Sequence, residues 1–230
     1  MSVAIITGAS RGLGYALATG LARNGWRLVV DGRDKQALAD ARDAIGGDIL
    51  ALPGDVTDPL HRAGLIAAAD RLGGADLLVN NAGILGPSPQ PALADYPLAA
   101  LREVYEVNVL APLALAQLAL PGLRERAGAI VNVTSDAAVE PYEGWGGYGS
   151  AKAAVEQFSR VLAVEQPSVR VWAVDPGDLR TRMHQEAFPG EDITDRPLPA
   201  TVVPGFVRLL ADRPESGRIR LADLLAETPA

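Results

Sequence analysis

Tyr148 and Lys152 stand four residues apart in a stretch of helical periodicity, so their side chains share one helix face. That pairing has a chemical use. A phenol with an ordinary pKa near ~10 holds its proton too tightly to pass it on freely at neutral pH. A cation within ~4–6 Å favours the phenolate. A tyrosine so placed can give a proton to a carbonyl oxygen or take one from an alcohol. Ser135, at the end of an apolar run, offers a hydroxyl that can bond the same oxygen and stabilise charge developing on it. Thr134 beside it is a rival for that task. Each residue also has a plain structural reading: a Tyr and a Lys four apart are common, and a Ser at a strand end often caps.

A second group of residues has the makings of a phosphate cradle. Thr7-Gly8-Ala9-Ser10-Arg11-Gly12-Leu13-Gly14 lies between the first apolar run and the first helix-period stretch. Gly8 suits the tight turn, Gly12 lets the backbone approach a pyrophosphate, and Gly14 lets helix and strand pack closely. The unpaired N–H groups of the helix N-terminus then face the anion. A glycine-rich turn with no ligand has the same composition. Its place at a strand-to-helix junction is what favours a dinucleotide.

Such groups need a frame to bring them together. Six nearly continuous apolar runs, at Val3–Ile6, Arg27–Asp31, Ile49–Leu52, Leu77–Asn80, Ala129–Thr134 and Val169–Val174, read as strands buried on both faces. Gly217–Leu221 reads as a short final strand. Between them Leu13–Asn24, Lys35–Ile45, Leu60–Leu72, Leu98–Leu120 and Tyr148–Glu165 carry apolar residues at helical spacing. This alternation predicts an α/β, Rossmann-type doubly wound parallel β-sheet with helices on both faces. No repeat or linker divides the chain, so residues 1–230 are expected to form one dinucleotide-binding domain. Gly83–Pro97, Pro141–Gly149 and Pro176–Pro204 read as loops at the ligand-binding edge of the sheet.

Apolar residues make up 48% and aromatics 5%, so the core must be mostly Ala, Leu and Val. The net charge of −7 argues against nucleic acid or an anionic membrane as partner. With no cysteine, thiol catalysis and thiolate metal sites are excluded. No basic n-region precedes Gly8, and no apolar run reaches the ~18 residues of a membrane span; a soluble cytoplasmic protein is expected. The two histidines, His61 and His184, are far apart, so no metal site is expected. His61 is expected on a solvated helix face. Tyr142, Trp145 and Phe188 are candidates for a pocket wall.

Taken together, the motifs resemble the short-chain dehydrogenase/reductase family, compact single-domain type. The resemblance rests on the Gly-x-x-x-Gly-x-Gly loop, on Asn80-Asn81-Ala82-Gly83 after the fourth strand and on Asp55-Val56 after the third. It rests equally on Asn108, Ser135, Tyr148 and Lys152 at the family's tetrad spacing, and on Pro176-Gly177 with Thr181 after the sixth strand. It covers roughly residues 3–182. It implies hydride transfer between NADP(H) and a small carbonyl or alcohol, with Tyr148 as general acid and base. Ser135 is preferred to Thr134 because it lies 13 residues before the tyrosine, the family's usual offset. Asn108 would hold a water in a proton relay behind Lys152.

The cofactor contacts implied are Gly8, Ser10, Arg11, Gly12, Leu13 and Gly14 of the loop. Asp55 and Val56 would hold the adenine, Asn81 would lie near the adenosine ribose, and Ala82 and Gly83 are implied cofactor contacts after it. Tyr148, Lys152, Pro176, Gly177 and Thr181 fall on the nicotinamide side. Gly32 falls where the family's NAD-selecting acid stands, and Arg33 where its NADP-selecting arginine does; Asp31 comes one residue early, on the other side of the strand. A shift of one residue in that reading would favour NAD(H). The segment at about 177–204 is the implied substrate loop. The family's Asp-Gly-Gly ending is missing after the last strand, so a homodimer is expected more readily than a tetramer. Two other readings are a nucleotide-sensing protein without turnover, which an intact Tyr148 and Lys152 disfavour, and a sugar-nucleotide epimerase, which the short chain disfavours.

Overall fold

The computed structural model describes residues 1–226. Seven parallel strands form one sheet: β1 (Val3–Ile6), β2 (Arg27–Gly32), β3 (Ile49–Pro53), β4 (Leu77–Asn80), β5 (Ala129–Val133), β6 (Arg170–Asp175) and β7 (Gly217–Arg220), in the order β3-β2-β1-β4-β5-β6-β7. The chain builds outward from β1 to β3, then crosses back to lay β4 on the other side of β1. Ile6 pairs with Val30 on one side and Val79 on the other. The strand order therefore reverses between β1 and β4, and the crevice beyond their carboxyl ends is where ligands bind in such sheets.

Helices cover both faces. On one, α1 (Gly12–Arg23) and α8 (Val203–Asp212) pack Leu17, Leu21, Phe206 and Leu209 against Trp172 and Val174. On the other, α3 (Pro59–Arg71) and α5 (Ala111–Glu125) pack Leu65, Leu115, Ala116 and Leu123 against Ile5, Leu78 and Ile130. Asp34 caps α2 (Lys35–Ile45) and Asp58 caps α3, each by accepting from first-turn N–H groups. The strands match the apolar runs to within a residue or so, because burial on both faces leaves the run unbroken by polar side chains.

Two segments depart from the sequence expectation. Leu98–Leu120 is not one regular helix: α4 (Leu98–Tyr105) passes through a π turn (Glu106–Leu110) into α5. The cause stands at Pro112, which has no N–H for the carbonyl of Asn108 that an α-helix would pair with it. The rod Leu98–Glu125 is long and apolar enough to cross a membrane by length and composition, contrary to the expectation, and about half of its most apolar window is buried inside the protein. The stretch from Pro176 to Pro204 carries α7 (Arg182–Ala187), and Pro204 lies in the first turn of α8 rather than ending a loop. Within that helix Val203, Phe206 and Leu210 repeat at helical spacing.

Trp172 is fully buried, and its indole N–H reaches the carbonyls of Pro214 and Glu215, both at 3.2 Å, tying β6 to the approach of β7. Trp172→Ala is expected to cost about 3–5 kcal/mol and to lower Tm by roughly 10 °C or more. Thermal unfolding followed by far-UV circular dichroism checks this; a shift under about 3 °C would mean that the cavity refills.

Candidate active site

An open cleft of about 870 Å³ runs along the carboxyl ends of the strands. Its walls include Ser10, Arg11, Arg33 and Asp55 toward one end and Ser135, Tyr148, Lys152 and Thr181 toward the other. All the residues named as cofactor contacts line it except Gly14, which lies beneath the loop.

At the nucleotide end, Gly8 takes a φ of +67°, which a side chain would strain. Its N–H donates to Asp31 Oδ1 at 2.6 Å. A Cβ on Gly14 would collide with the Gly8 carbonyl and the Asn81 amide. The Asn81 side chain donates to the carbonyls of Thr7 (2.8 Å) and Gly8 (3.2 Å), so its amide nitrogen braces the glycine loop. Arg11 begins α1 without a side-chain cap, leaving the first-turn N–H groups to an anion. Arg11 and Arg33 are exposed at the rim. Asp31 is 1% exposed, and its second oxygen meets His61 Nε2 at 3.1 Å. His61 is thus packed under the nucleotide end, not on a solvated face. Asp55 accepts from the N–H and hydroxyl of Thr57. Burial would raise its pKa, but the Thr57 bonds and the Arg33 charge overcome that and leave it lowered.

At the other end, α6 (Gly146–Glu165) presents Tyr148 and Lys152, both buried. Lys152 Nζ lies 5.4 Å from the phenol ring centroid and donates to the Val133 carbonyl at 2.8 Å. Burial pushes this ammonium down to about 8. A cation beside the ring is expected to lower the tyrosine's pKa, but the net shift runs the other way. Burial, then the carboxylates of Asp136 and Asp175, hold the phenol well above its ordinary value. Among the described residues the Tyr148 hydroxyl makes no hydrogen bond, so its proton is uncommitted.

Ser135 donates to Asp136 Oδ1 at 2.8 Å and accepts from Ala137 N at 3.2 Å. Thr134 instead gives its proton to buried Glu156 at 3.0 Å. The Asn108 amide donates to Ile84 O and its carbonyl accepts from Ile84 N, both at 2.8 Å, so the side chain clamps the strand-end loop. Pro112, four residues on, was the signal in the sequence that its main-chain carbonyl stands apart. Thr181 caps α7 by accepting from His184 N at 3.1 Å, which leaves its hydroxyl proton for the cleft. Trp145 packs edge-on to Tyr148 at 5.9 Å and against Phe188 at 5.9 Å. Asp136 escaped the sequence reading, although it directly follows Ser135.

A family model described as short chain dehydrogenase matches residues 2–192. Serine 3-dehydrogenase of Rhizobium radiobacter is 31% identical over 232 residues, covering 96% of this chain and 92% of its own. Sepiapterin reductase of Mus musculus is 33% identical over 202 residues, covering 81% and 77%. The alcohol dehydrogenase from Thermococcus sibiricus complexed with 5-hydroxy-NADP superposes with a TM-score of 0.82 at 28% identity, covering 96% of this chain and 95% of that one.

The depressed Lys152 links the site to stability. Its folded value of about 8 lies below the ordinary 10.5, so the buried charge is a cost below pH 8 that is relieved as pH rises toward 10.5. The cost is on the order of 3 kcal/mol. Lys152→Met removes it. Denaturant unfolding of both proteins across that window is therefore expected to show the variant's advantage shrinking as pH rises; parallel curves would contradict this.

Proposed function

This chain belongs to the short-chain dehydrogenase/reductase family, and from that premise we propose that it is an NADP(H)-dependent oxidoreductase interconverting a small carbonyl compound and its alcohol. The carrying observation is that one cleft has Tyr148, Lys152 and Ser135 at one end and the glycine loop with Arg11 and Arg33 at the other. Residues 1–230 act as one domain in this reading, with the segment at 177–204 as its substrate loop.

The uncapped start of α1 and the loop glycines suit a pyrophosphate, and Arg11 and Arg33 suit a 2′-phosphate. Asp31, the acid that would favour NAD(H), is occupied by Gly8 and His61, which supports NADP(H). Gly32 leaves no carboxylate at the position facing Ser10. Asp55 and Val56 would flank the adenine, and Ala82 and Gly83 the ribose. Pro176, Gly177 and Thr181 would hold the carboxamide end. A bound reduced nicotinamide would supply the hydride.

The chain's own part is the proton. Tyr148 carries an uncommitted proton in a buried site and gives it to the substrate oxygen in reduction; in oxidation the phenolate takes it back. Lys152 stabilises that phenolate from beside the ring. Ser135 turns its hydroxyl from Asp136 to the substrate oxygen. Asn108 serves through its main-chain carbonyl, which Pro112 leaves without an α-helical donor. Exposed Leu110, Leu118, Val161 and Val164 on α5, α6 and the π turn offer the apolar surface of a homodimer.

Tyr148→Phe is expected to cut NADPH-dependent reduction across a panel of carbonyl substrates by about 10²-fold or more while NADPH still binds. Wild-type rates in this variant would end the proposal. Arg33→Ala is expected to weaken NADPH binding by about tenfold, a loss on the scale of one charge-assisted phosphate contact, with little effect on NADH. Fluorescence titration of both nucleotides reads this; equal losses would return the choice to NAD(H).

A further inference from the structure

Behind the proton-transfer end of the cleft lies a charge network that hydride transfer does not itself require. Arg218 stands on β7, at the edge of the sheet, paired with Ala173 of β6. Its Nε donates to Glu156 Oε1 at 2.9 Å and its Nη2 to Asp175 Oδ2 at 2.8 Å. The same Nη2 reaches the main-chain carbonyl of Ser135 at 3.5 Å. Both carboxylates are nearly out of water, with side-chain exposures of 3% for Glu156 and 7% for Asp175. Glu156 also accepts from Thr134 Oγ1 at 3.0 Å and from Arg160 at 3.1 Å, but the Arg160 side chain is 55% exposed. Asp175 turns its other oxygen to the N–H of Gly177 at 2.9 Å.

The contacts of this one guanidinium fall on the elements that carry the reacting groups. Glu156 is one helical turn beyond Lys152 and two beyond Tyr148, on the same face of α6. Ser135 ends β5. Asp175 fixes the Pro176-Gly177 turn. A brace needed only for folding could sit anywhere along the sheet.

We propose that Arg218 is a positioning residue for proton transfer: from the edge strand it joins the ends of β5 and β6 to α6 and balances the Asp175 carboxylate, and so governs how readily Tyr148 parts with its proton. The inference rests on the assignment of Tyr148 as the proton donor.

The charges around Tyr148 make the sign clear. Its own helix brings Lys152, the turn after β5 brings Asp136, and β6 brings Asp175. From α7, whose Met183 and Ala187 pack against the cluster of Leu85, Ala137 and Tyr148, come Arg182 paired with Glu186 at 2.6 Å and His184 facing Asp178 at 3.8 Å. The strand-end loop contributes Leu85, which has no charge. Arg218 is the cation that faces Asp175 directly. Without it the carboxylate is left buried and uncompensated, and an anion near a phenol disfavours the phenolate.

The test reads ionisation rather than turnover. With Tyr148 replaced by 3-fluorotyrosine, ¹⁹F NMR follows its titration in the wild-type background and in Arg218→Gln, Arg218→Lys, Asp175→Asn and the Asp175→Asn/Arg218→Gln pair. Arg218→Gln is expected to raise the midpoint by about half a unit or more, and Asp175→Asn to lower it by a similar amount. The isosteric neutral pair should return close to wild type, and Arg218→Lys, which keeps the charge, should stay within about 0.2 unit of it. If Arg218→Gln does not fold, Asp175→Asn and Arg218→Lys still decide. A midpoint unmoved by Asp175→Asn, or moved equally by Arg218→Lys and Arg218→Gln, overturns the inference. Wild-type protein that transfers no hydride on the carbonyl panel would overturn the function instead, and the NMR midpoints would still stand.

Discussion

Everything at the cleft depends on the junction of β1 and β4, where the strand order reverses. Two segments 74 residues apart meet there through few atoms. The Thr7 hydroxyl accepts from the N–H groups of Asn81 and Ala82, both at 3.0 Å, and the Asn81 amide answers by donating to the Thr7 and Gly8 carbonyls. Strand-end carbonyls and N–H groups have no ladder partner left, and leaving them buried and unpaired would cost more than the bonds return. Satisfying them with each other fixes the glycine loop against the exit of β4. The start of α1 on one side and the Ile84 loop clamped by Asn108 on the other follow from that.

The second constraint is electrostatic. A buried phenol and a buried ammonium share one helix face, and burial opposes the charged form of each: the phenol's pKa rises and the ammonium's falls. Proximity alone does not produce a tyrosinate. The carboxylates of Asp136 and Asp175 push the same way as burial, so the phenol of the unliganded protein stays protonated, and Lys152 meets a main-chain carbonyl rather than the hydroxyl.

Much of this was legible in the sequence, for a reason that also marks the limit. Strands buried on both faces must be apolar throughout, so β1, β2 and β4 declared themselves as runs. The glycine loop and the tyrosine–lysine spacing are local, and local spacing survives as pattern. What stayed hidden joins distant positions. Asp31 and His61 are 30 residues apart, and Asp175 and Arg218 are 43 apart; nothing in either neighbourhood announces the partner. A proline inside a helical pattern can break a helix, reshape it into a π turn, as at Pro112, or begin one, as at Pro204, and the pattern alone does not say which. Glu156 is the exception: Tyr148, Lys152 and Glu156 continue one stripe at four-residue spacing along α6, so its place beside the pair is local pattern.

The hydroxyl protons around the site give the arrangement a direction. Ser135 and Tyr142 both donate to Asp136, and Thr134 donates to Glu156. Each therefore has an acid as its acceptor before any ligand arrives. Tyr148 has none among the described residues. An incoming oxygen that needs a donor finds one proton free at once and can recruit a second only by drawing Ser135 away from Asp136, a charge-assisted bond worth roughly twice a neutral one. A weakly basic oxygen would not compete for it, whereas an oxygen gaining negative charge would. In the proposed reaction the second hydrogen bond would thus be strongest when the transition state forms, and an interaction made chiefly there accelerates a reaction rather than merely tightening binding.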